Sequence, residues 1–484
     1  MNGPAAACGG WALGSCRMLF ALGLVGCEAE PPPPDVLLVV EDTVRADALS
    51  VYGNPRPTSP QLAEVARVGV TFDDVTAPSS WTWPTHASLF TGLQPWEHGA
   101  HFGQADDAGA WSLDPLPLLV TMPRSDVPTL AERFSQAGYR TVLLTGNPIV
   151  GPDLKAMVRG FELAEVHRPD AALISRAETL LAETDPRPLF LFVNLMPAHA
   201  PYHLTPASWA QPHRPALQPE TAPDWLVPYL TTDRPGVDLQ QRPSGQDRTG
   251  IQQILAGELS VPPEGWTLLQ DLYDGEIMEA DLRLNRVLQA WTAAHPQGVM
   301  AITSDHGEGF GEHGLLEHRG SVYPEVTRVP LAIAAPGLLP AGTRISTPVS
   351  LTRLGATLRA LALGTDRAGS WLPLIAGEPY AERPIQAAAW PDPYRADKVG
   401  GRWKQSWFLY RKGDEALVFD SAGNHQLYDM ARDPQMEHPL ETQPERASAL
   451  FELARQAFPE LQVRESSRPS EEIESRLQAL GYLE

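Results

Sequence analysis

The chain predicts an α/β fold: a mostly parallel sheet with helices on both faces, followed by a small C-terminal α+β subdomain. Three observations predict it. Short apolar runs rich in Val, Leu and Ile recur between segments of helical periodicity from residue 35 onward. Those runs are apolar almost without interruption, which is the pattern of strands buried on both faces of a parallel sheet. After about residue 395 the texture shifts to short strands and one closing helix.

Taken in order, "DVLLVVED" (35–42) is bounded by prolines and reads as the first buried strand. "TSPQLAEVARVG" (58–69) carries a cap residue, Pro60 in the first turn and a glycine stop, so it reads as a helix. Further strands are expected at 140–146, 188–195, 298–303 and 329–337, with helices at 128–138, 170–184 and most clearly 266–294. The stretch 204–264 is rich in Pro, Gln and Asp and reads as an irregular surface insertion. These elements fill one domain, 35–395. "RWKQSWFLYRKGDEALVFD" and "NHQLYDMARDP" then read as antiparallel strands, with a helix near 442–457, inside a subdomain spanning 396–484.

Charge narrows the class of partner. The 37 basic and 59 acidic residues give a net charge of −22 spread along the chain, which argues against nucleic acid. All three cysteines (Cys8, Cys16, Cys27) precede the folded region, so no disulfide framework or cysteine metal site is expected in it. Arg17 is followed by "MLFALGLVG", too short to span a bilayer and suited to the core of a signal peptide, 1–26. That run ends in "LVGC", which resembles the bacterial lipobox. The resemblance implies a lipid on Cys27 and a protein exported and anchored in the cell envelope, at the outer membrane facing the periplasm or the outside. A plain signal peptide with an incidental cysteine is the other reading. Residues 27–34 form a stiff Pro-rich spacer, and Met18 is a second candidate start.

Sites in open parallel sheets form at the carboxyl ends of strands. One strand here ends in Glu41-Asp42, another leads to His199, and a third to Asp305-His306. Carboxylates and imidazoles converging there suit a divalent cation. Between the strands lies "APSSWTWPTHASLFTG" (77–92), with Thr82 between two tryptophans at the head of a short helix. From the residues alone, Thr82 is an ordinary helix N-cap, and Trp81 and Trp83 are packing residues.

The runs "DTVRADALSVYG" (42–53), "WTWPTHASLFTG" (81–92), "HAPY" (199–202), "SDHGEGFGEHG" (304–314), "YPEVTRVPLAI" (323–333) and "QLYDMARDP" (426–434) together resemble the sulfatase family of the alkaline-phosphatase superfamily. The resemblance implies a doubly wound sheet, one divalent metal (Ca, Mn, Zn or Mg) and hydrolysis of sulfate or phosphate esters. The ester would be carried by a small molecule, glycan or lipid. Asp42, Asp305 and His306 match metal ligands. Thr82 falls where sulfatases carry the Cys or Ser that becomes formylglycine, and His86 takes the place of that motif's Arg. His199 matches a substrate-contacting His, and His318 lies near a Lys or His that steadies the transferred group. Threonine cannot be converted to formylglycine by that route, so the variant resembles superfamily members that use Thr directly, bound to the metal. Its covalent ester must then be cleared by in-line attack of an acceptor, which suits phosphoryl groups.

Arg45 is a brace for the metal loop or a substrate contact. Glu41 is a candidate for a further ligand, with a supporting or structural role the favoured reading. Glu308, Glu312 and His313 are candidates for a second metal site or for hydrogen bonds around their loop. Two alternatives to a hydrolase remain: a phospho-headgroup transferase of the envelope, and a non-catalytic binding protein on the same fold. The first has relatives with several membrane helices, whereas no apolar run here approaches about 18 residues. Metal content separates the second from both enzymes.

Overall fold

The structure, a computed structural model, describes residues 32–102, 110–112, 119–121, 123–200, 202–203, 230–231 and 253–458. The signal peptide, Cys27 and most of the 204–264 insertion lie outside the described residues.

Eight strands make the main sheet: β1 (Val36–Glu41), β2 (Val70–Phe72), β3 (Arg140–Thr145), β4 (Leu163–Val166), β5 (Leu189–Leu195), β6 (Val299–Thr303), β7 (Leu331–Ala334) and β8 (Thr343–Ile345). Their spatial order is β8-β2-β7-β6-β1-β5-β3-β4. β1 lies at the centre, parallel to β6 on one side and β5 on the other. The run at 329–337 does form a strand, but β7 pairs antiparallel with both β6 and β2. Only 27 residues, 304–330, separate the end of β6 from β7, and much of that chain forms the site loop. A crossover helix is thus absent, and the chain returns in the opposite direction.

Along β1 alternate side chains point to opposite faces. Val36, Leu38 and Val40 enter one core, with α2 (Thr82–Thr91), α3 (Leu130–Gln136) and α6 (Leu354–Leu363) over it. Leu37 and Val39 enter the other, covered by α1 (Pro60–Val68), α4 (Asp170–Leu181) and α5 (Pro263–Ala294). In α5, Leu269, Leu272, Tyr273, Ile277, Ala280, Leu284, Val287 and Trp291 recur at three- and four-residue spacing and are buried. A fully buried Leu or Val contributes about 1.5–3 kcal/mol, so this face, and not intrinsic propensity, holds the helix in place.

The expected cap of α1 is corrected. Ser59 makes no capping bond. Asp281 of α5 instead reaches across and accepts the amide N–H groups of Gln61 and Leu62 at 2.9 and 3.0 Å. Two orphan donors of the first turn are thereby satisfied from another helix.

The small C-terminal sheet is antiparallel in sequence order: β9 (Ile385–Ala389), β10 (Trp407–Lys412), β11 (Glu415–Asp420) and β12 (His425–Asp429). α7 (Pro444–Ala457) covers one face. Val322 and Tyr323 pack on the other. β9 begins before residue 396 and docks on the main domain, since Ala388 exchanges backbone and side-chain hydrogen bonds with Pro78 and Ser79.

Candidate active site

Four neighbouring strands, β6, β1, β5 and β3, deliver polar residues to one carboxyl edge: Asp305 and His306, Asp42, His199 and Asn147. The three expected metal ligands are fully buried there. Each is fixed through one atom and presents another. Asp42 Oδ2 accepts the Asn147 amide at 2.8 Å. Asp305 Oδ1 accepts the amides of Thr43 and His306 at 3.3 and 3.0 Å. His306 Nδ1 donates to the Gly307 carbonyl at 3.0 Å, which leaves Nε2 as the lone-pair nitrogen. The remaining atoms converge: His306 Nε2 lies 3.8 Å from Asp42 Oδ1 and 3.4 Å from Asp305 Oδ2. Asp42 Oδ1 and Asp305 Oδ2 have no hydrogen-bond partner among the described residues.

Two buried carboxylates with open oxygens are costly without a cation. Burial pushes Asp305 up to about 7, against the pull of its backbone amides. Burial and then the Asp305 charge push Asp42 upward as well. Burial depresses His306 to about 4, so its imidazole is neutral and able to ligate. Two carboxylate oxygens and one imidazole nitrogen fit a divalent cation.

Thr82 sits beside this cluster. It is the first residue of α2, not a residue ahead of it; Trp81 holds the cap position and no side-chain capping bond forms. Its Oγ1 lies 3.5 Å from both His306 Nε2 and Asn147 Nδ2. The helix therefore starts at Thr82, with Pro84 in its first turn, and Gly92 ends it in the left-handed conformation at φ 77°. Trp81 stacks on Phe102 at 4.0 Å, and Trp83 donates Nε1–H to the Thr121 carbonyl, so both are packing residues of the core.

His86 lies one turn along, fully buried. Its Nδ1 donates to the Thr82 carbonyl at 3.0 Å and stands 3.6 Å from Asp305 Oδ2. Burial lowers it to about 4, with Asp42 opposing. It therefore brings no positive charge to the site. His199, half-buried, bonds the Ala200 carbonyl through Nδ1, and its ring is 5.2 Å from that of His318. His318 is buried 4.5 Å from the His306 ring and bonds Glu308 Oε1 at 3.1 Å.

The surrounding loops are tied down. Arg45 bonds the Glu308 carbonyl, Glu312 and Asp47, so it braces the metal loop. Tyr273 bonds both Thr43 and Arg45. Glu308, Glu312 and His313 go to separate partners, namely His318, Arg45 and Glu325. Among the described residues, the group able to share an ion is Asp42, Asp305 and His306. Glu41 shares the face of β1 that α5 covers, where burial and then Asp281 push it up to about 8. Sequence reasoning missed Asn147. Its signal was available, because "TGNP" ends β3 just as Asp42 follows β1.

A mostly parallel sheet with a small antiparallel companion, and carboxylates and an imidazole gathered at its carboxyl edge, make an alkaline-phosphatase-like α/β fold. The sulfatase family profile matches residues 34–365, and the chain belongs to the sulfatase family. It is an ester hydrolase of that family. It is 23% identical over 467 residues to a delta 4,5-hexuronate-2-O-sulfatase of Bacteroides thetaiotaomicron, covering 90% of each chain. Among solved structures it resembles a phosphonate monoester hydrolase of Agrobacterium radiobacter, with a TM-score of 0.63, 19% identity and 88% and 95% of the two chains covered. A structure in complex with its substrate D-glucosamine-2-N,6-O-disulfate is similar at a TM-score of 0.64, with 17% identity over 88% and 98%.

Proposed function

We propose that the protein is a divalent-metal-dependent hydrolase of sulfate or phosphate esters that uses Thr82 as its nucleophile, with phosphoesters favoured. One observation carries the reading. Asp42, Asp305 and His306 each keep one ligand atom directed at a common point, and the Thr82 hydroxyl stands beside that point free of any capping role.

A divalent ion held by Asp42, Asp305 and His306 supplies Lewis-acid stabilisation of the ester oxygens and favours the ionised hydroxyl nearby. Thr82 Oγ1, its proton lost to water, attacks the phosphorus or sulfur in line; the bond to the leaving oxygen breaks, and that oxygen takes a proton from water and departs as the alcohol. Asn147 holds Asp42 and the Thr82 oxygen in register. His199 and His318 flank the ester, and the neutral His86 orients the first turn through the Thr82 carbonyl. Amide groups at the head of α2 face the anion. Water then attacks the phosphorus or sulfur of the Thr82 ester, the bond to Oγ1 breaks, inorganic phosphate or sulfate leaves, and Oγ1 regains a proton. Threonine has no second hydroxyl through which to expel sulfate by elimination, and this supports phosphoesters over sulfates.

The substrate carrier is a glycan, lipid or small molecule, and the enzyme is an exported lipoprotein held through Cys27. An assay of 4-nitrophenyl sulfate, 4-nitrophenyl phosphate and bis(4-nitrophenyl) phosphate with Mn, Zn, Mg or Ca tests the reading. Thr82→Ala should lose at least about a thousandfold in kcat, roughly 4 kcal/mol of barrier, and Thr82→Ser should retain measurable turnover. A fully active Thr82→Ala enzyme would refute it.

A further inference from the structure

His318 sits in a run of backbone that it would not adopt alone. Glu317 has φ 65°, Arg319 φ 79° and Gly320 φ 58°. Left-handed conformations disfavour residues with a Cβ, and two of them bracketing one side chain need support from outside the run.

The support comes from a segment that follows β9 of the small sheet. Arg395 donates Nη1 to the His318 carbonyl at 2.8 Å, and its Nη2 pairs with the Glu317 carboxylate. Its guanidinium lies over the Trp403 ring, 4.5 Å from the centroid. Asp392 is fully buried and works on both sides: Oδ1 accepts the Arg395 amide at 3.2 Å, and Oδ2 accepts Arg319 Nη1 at 3.3 Å. Trp403 closes against Gly320, where a Cβ would fall 2.4 Å from the ring. Every residue from Glu317 to Gly320 is thus gripped by the segment Asp392–Trp403, while Glu308 holds the His318 ring itself.

We propose that Asp392 and Arg395 are positioning residues, which hold the His318 backbone so that its ring faces the reacting ester. This rests on the role given to His318 above. The two-pronged contact needs a planar fork; a lysine at 395 would keep the charge and lose one of the two bonds. The small sheet then contributes to the reaction without touching substrate.

The test uses full-length protein and the variants Arg395→Lys, Arg395→Ala and Asp392→Asn. For the 4-nitrophenyl ester that the wild type turns over, kcat should fall roughly tenfold to a hundredfold, the cost of a misplaced group. KM and metal content should stay near wild type, and the fall in kcat should persist at temperatures well below the melting temperature of each variant. The pH dependence of kcat should shift, and added guanidinium should restore part of the turnover of Arg395→Ala. A second readout needs no turnover: the His318 ring signals of ¹⁵N-histidine-labelled protein, assigned through His318→Gln, should move in Arg395→Lys and in Asp392→Asn. Asp392→Asn keeps the size of the side chain and serves if Arg395→Ala does not fold. Unchanged kcat, pH profile and ring signals would overturn the proposal, as would losses that track melting temperature without rescue. A wild type inactive on every ester would instead sink the hydrolase reading, and the ring signals would still decide this one.

Discussion

Around Thr82, chemistry depends on single atoms left open. Asp42 and Asp305 each give one oxygen to a neighbour and keep one. Asp305→Asn or His306→Ala should therefore abolish bound divalent metal, read by elemental analysis, and turnover with it, while the circular dichroism spectrum stays folded. Full activity after chelation and metal repletion would show that the ligands lie elsewhere. These residues were legible because each follows an apolar strand with an unmistakable pattern. Asn147 follows β3 in the same way, yet Gly-Asn-Pro reads equally as a turn, and only the strand order places it against Asp42. The charge of His86 was not legible either. Its neutrality comes from burial among Phe90, Phe192 and the helix, which spacing does not reveal.

The elements divide in the same manner. Long periodic segments such as α5 and continuous apolar strands such as β1 follow from pattern alone. The short strands β2 and β8 do not, because pairing partners far along the chain decide them; β4, the direction of β7 and the early start of the small sheet also leave no mark in the periodicity. The cap of α1 is of this kind. Asp281→Ala should lower stability by about 1–2 kcal/mol, read as a lower melting temperature with metal content unchanged; an unaltered melting curve would show that Gln61 and Leu62 need no acceptor. His313 links the site loop to the C-terminal part, with Nδ1 on Glu325, Nε2 on the Met436 carbonyl and its ring stacked on Tyr323. Burial lowers its pKa, but the Glu325 hydrogen bond and charge outweigh burial and the nearby Arg402, leaving it raised. Its stabilising contribution is then complete below the unfolded value of about 6.5 and is lost as pH rises through the higher folded value. Melting temperature should decline as pH rises above that unfolded value in the wild type and less so in His313→Gln. Parallel declines would remove His313 as the cause.

At the scale of the molecule, the buried cluster couples metal to stability. A chelator should lower the melting temperature, since an ion bound at a hundredfold excess over its Kd stabilises the native state by about 2.7 kcal/mol. Equal melting with and without chelator would mean that no ion is held. Among the described residues no helix is long and apolar enough to cross a membrane. Anchorage is therefore tested at Cys27: labelled palmitate should enter the protein in a Gram-negative host and vanish in Cys27→Ser, and an unlabelled wild type would contradict it. The most direct measurement is an acid quench during turnover of a slow ester, followed by mass spectrometry of the peptide that carries residue 82. The account predicts a phosphoryl or sulfuryl group on Thr82, absent from Thr82→Ala; a trapped group on another residue, with Thr82 unmodified, would contradict it.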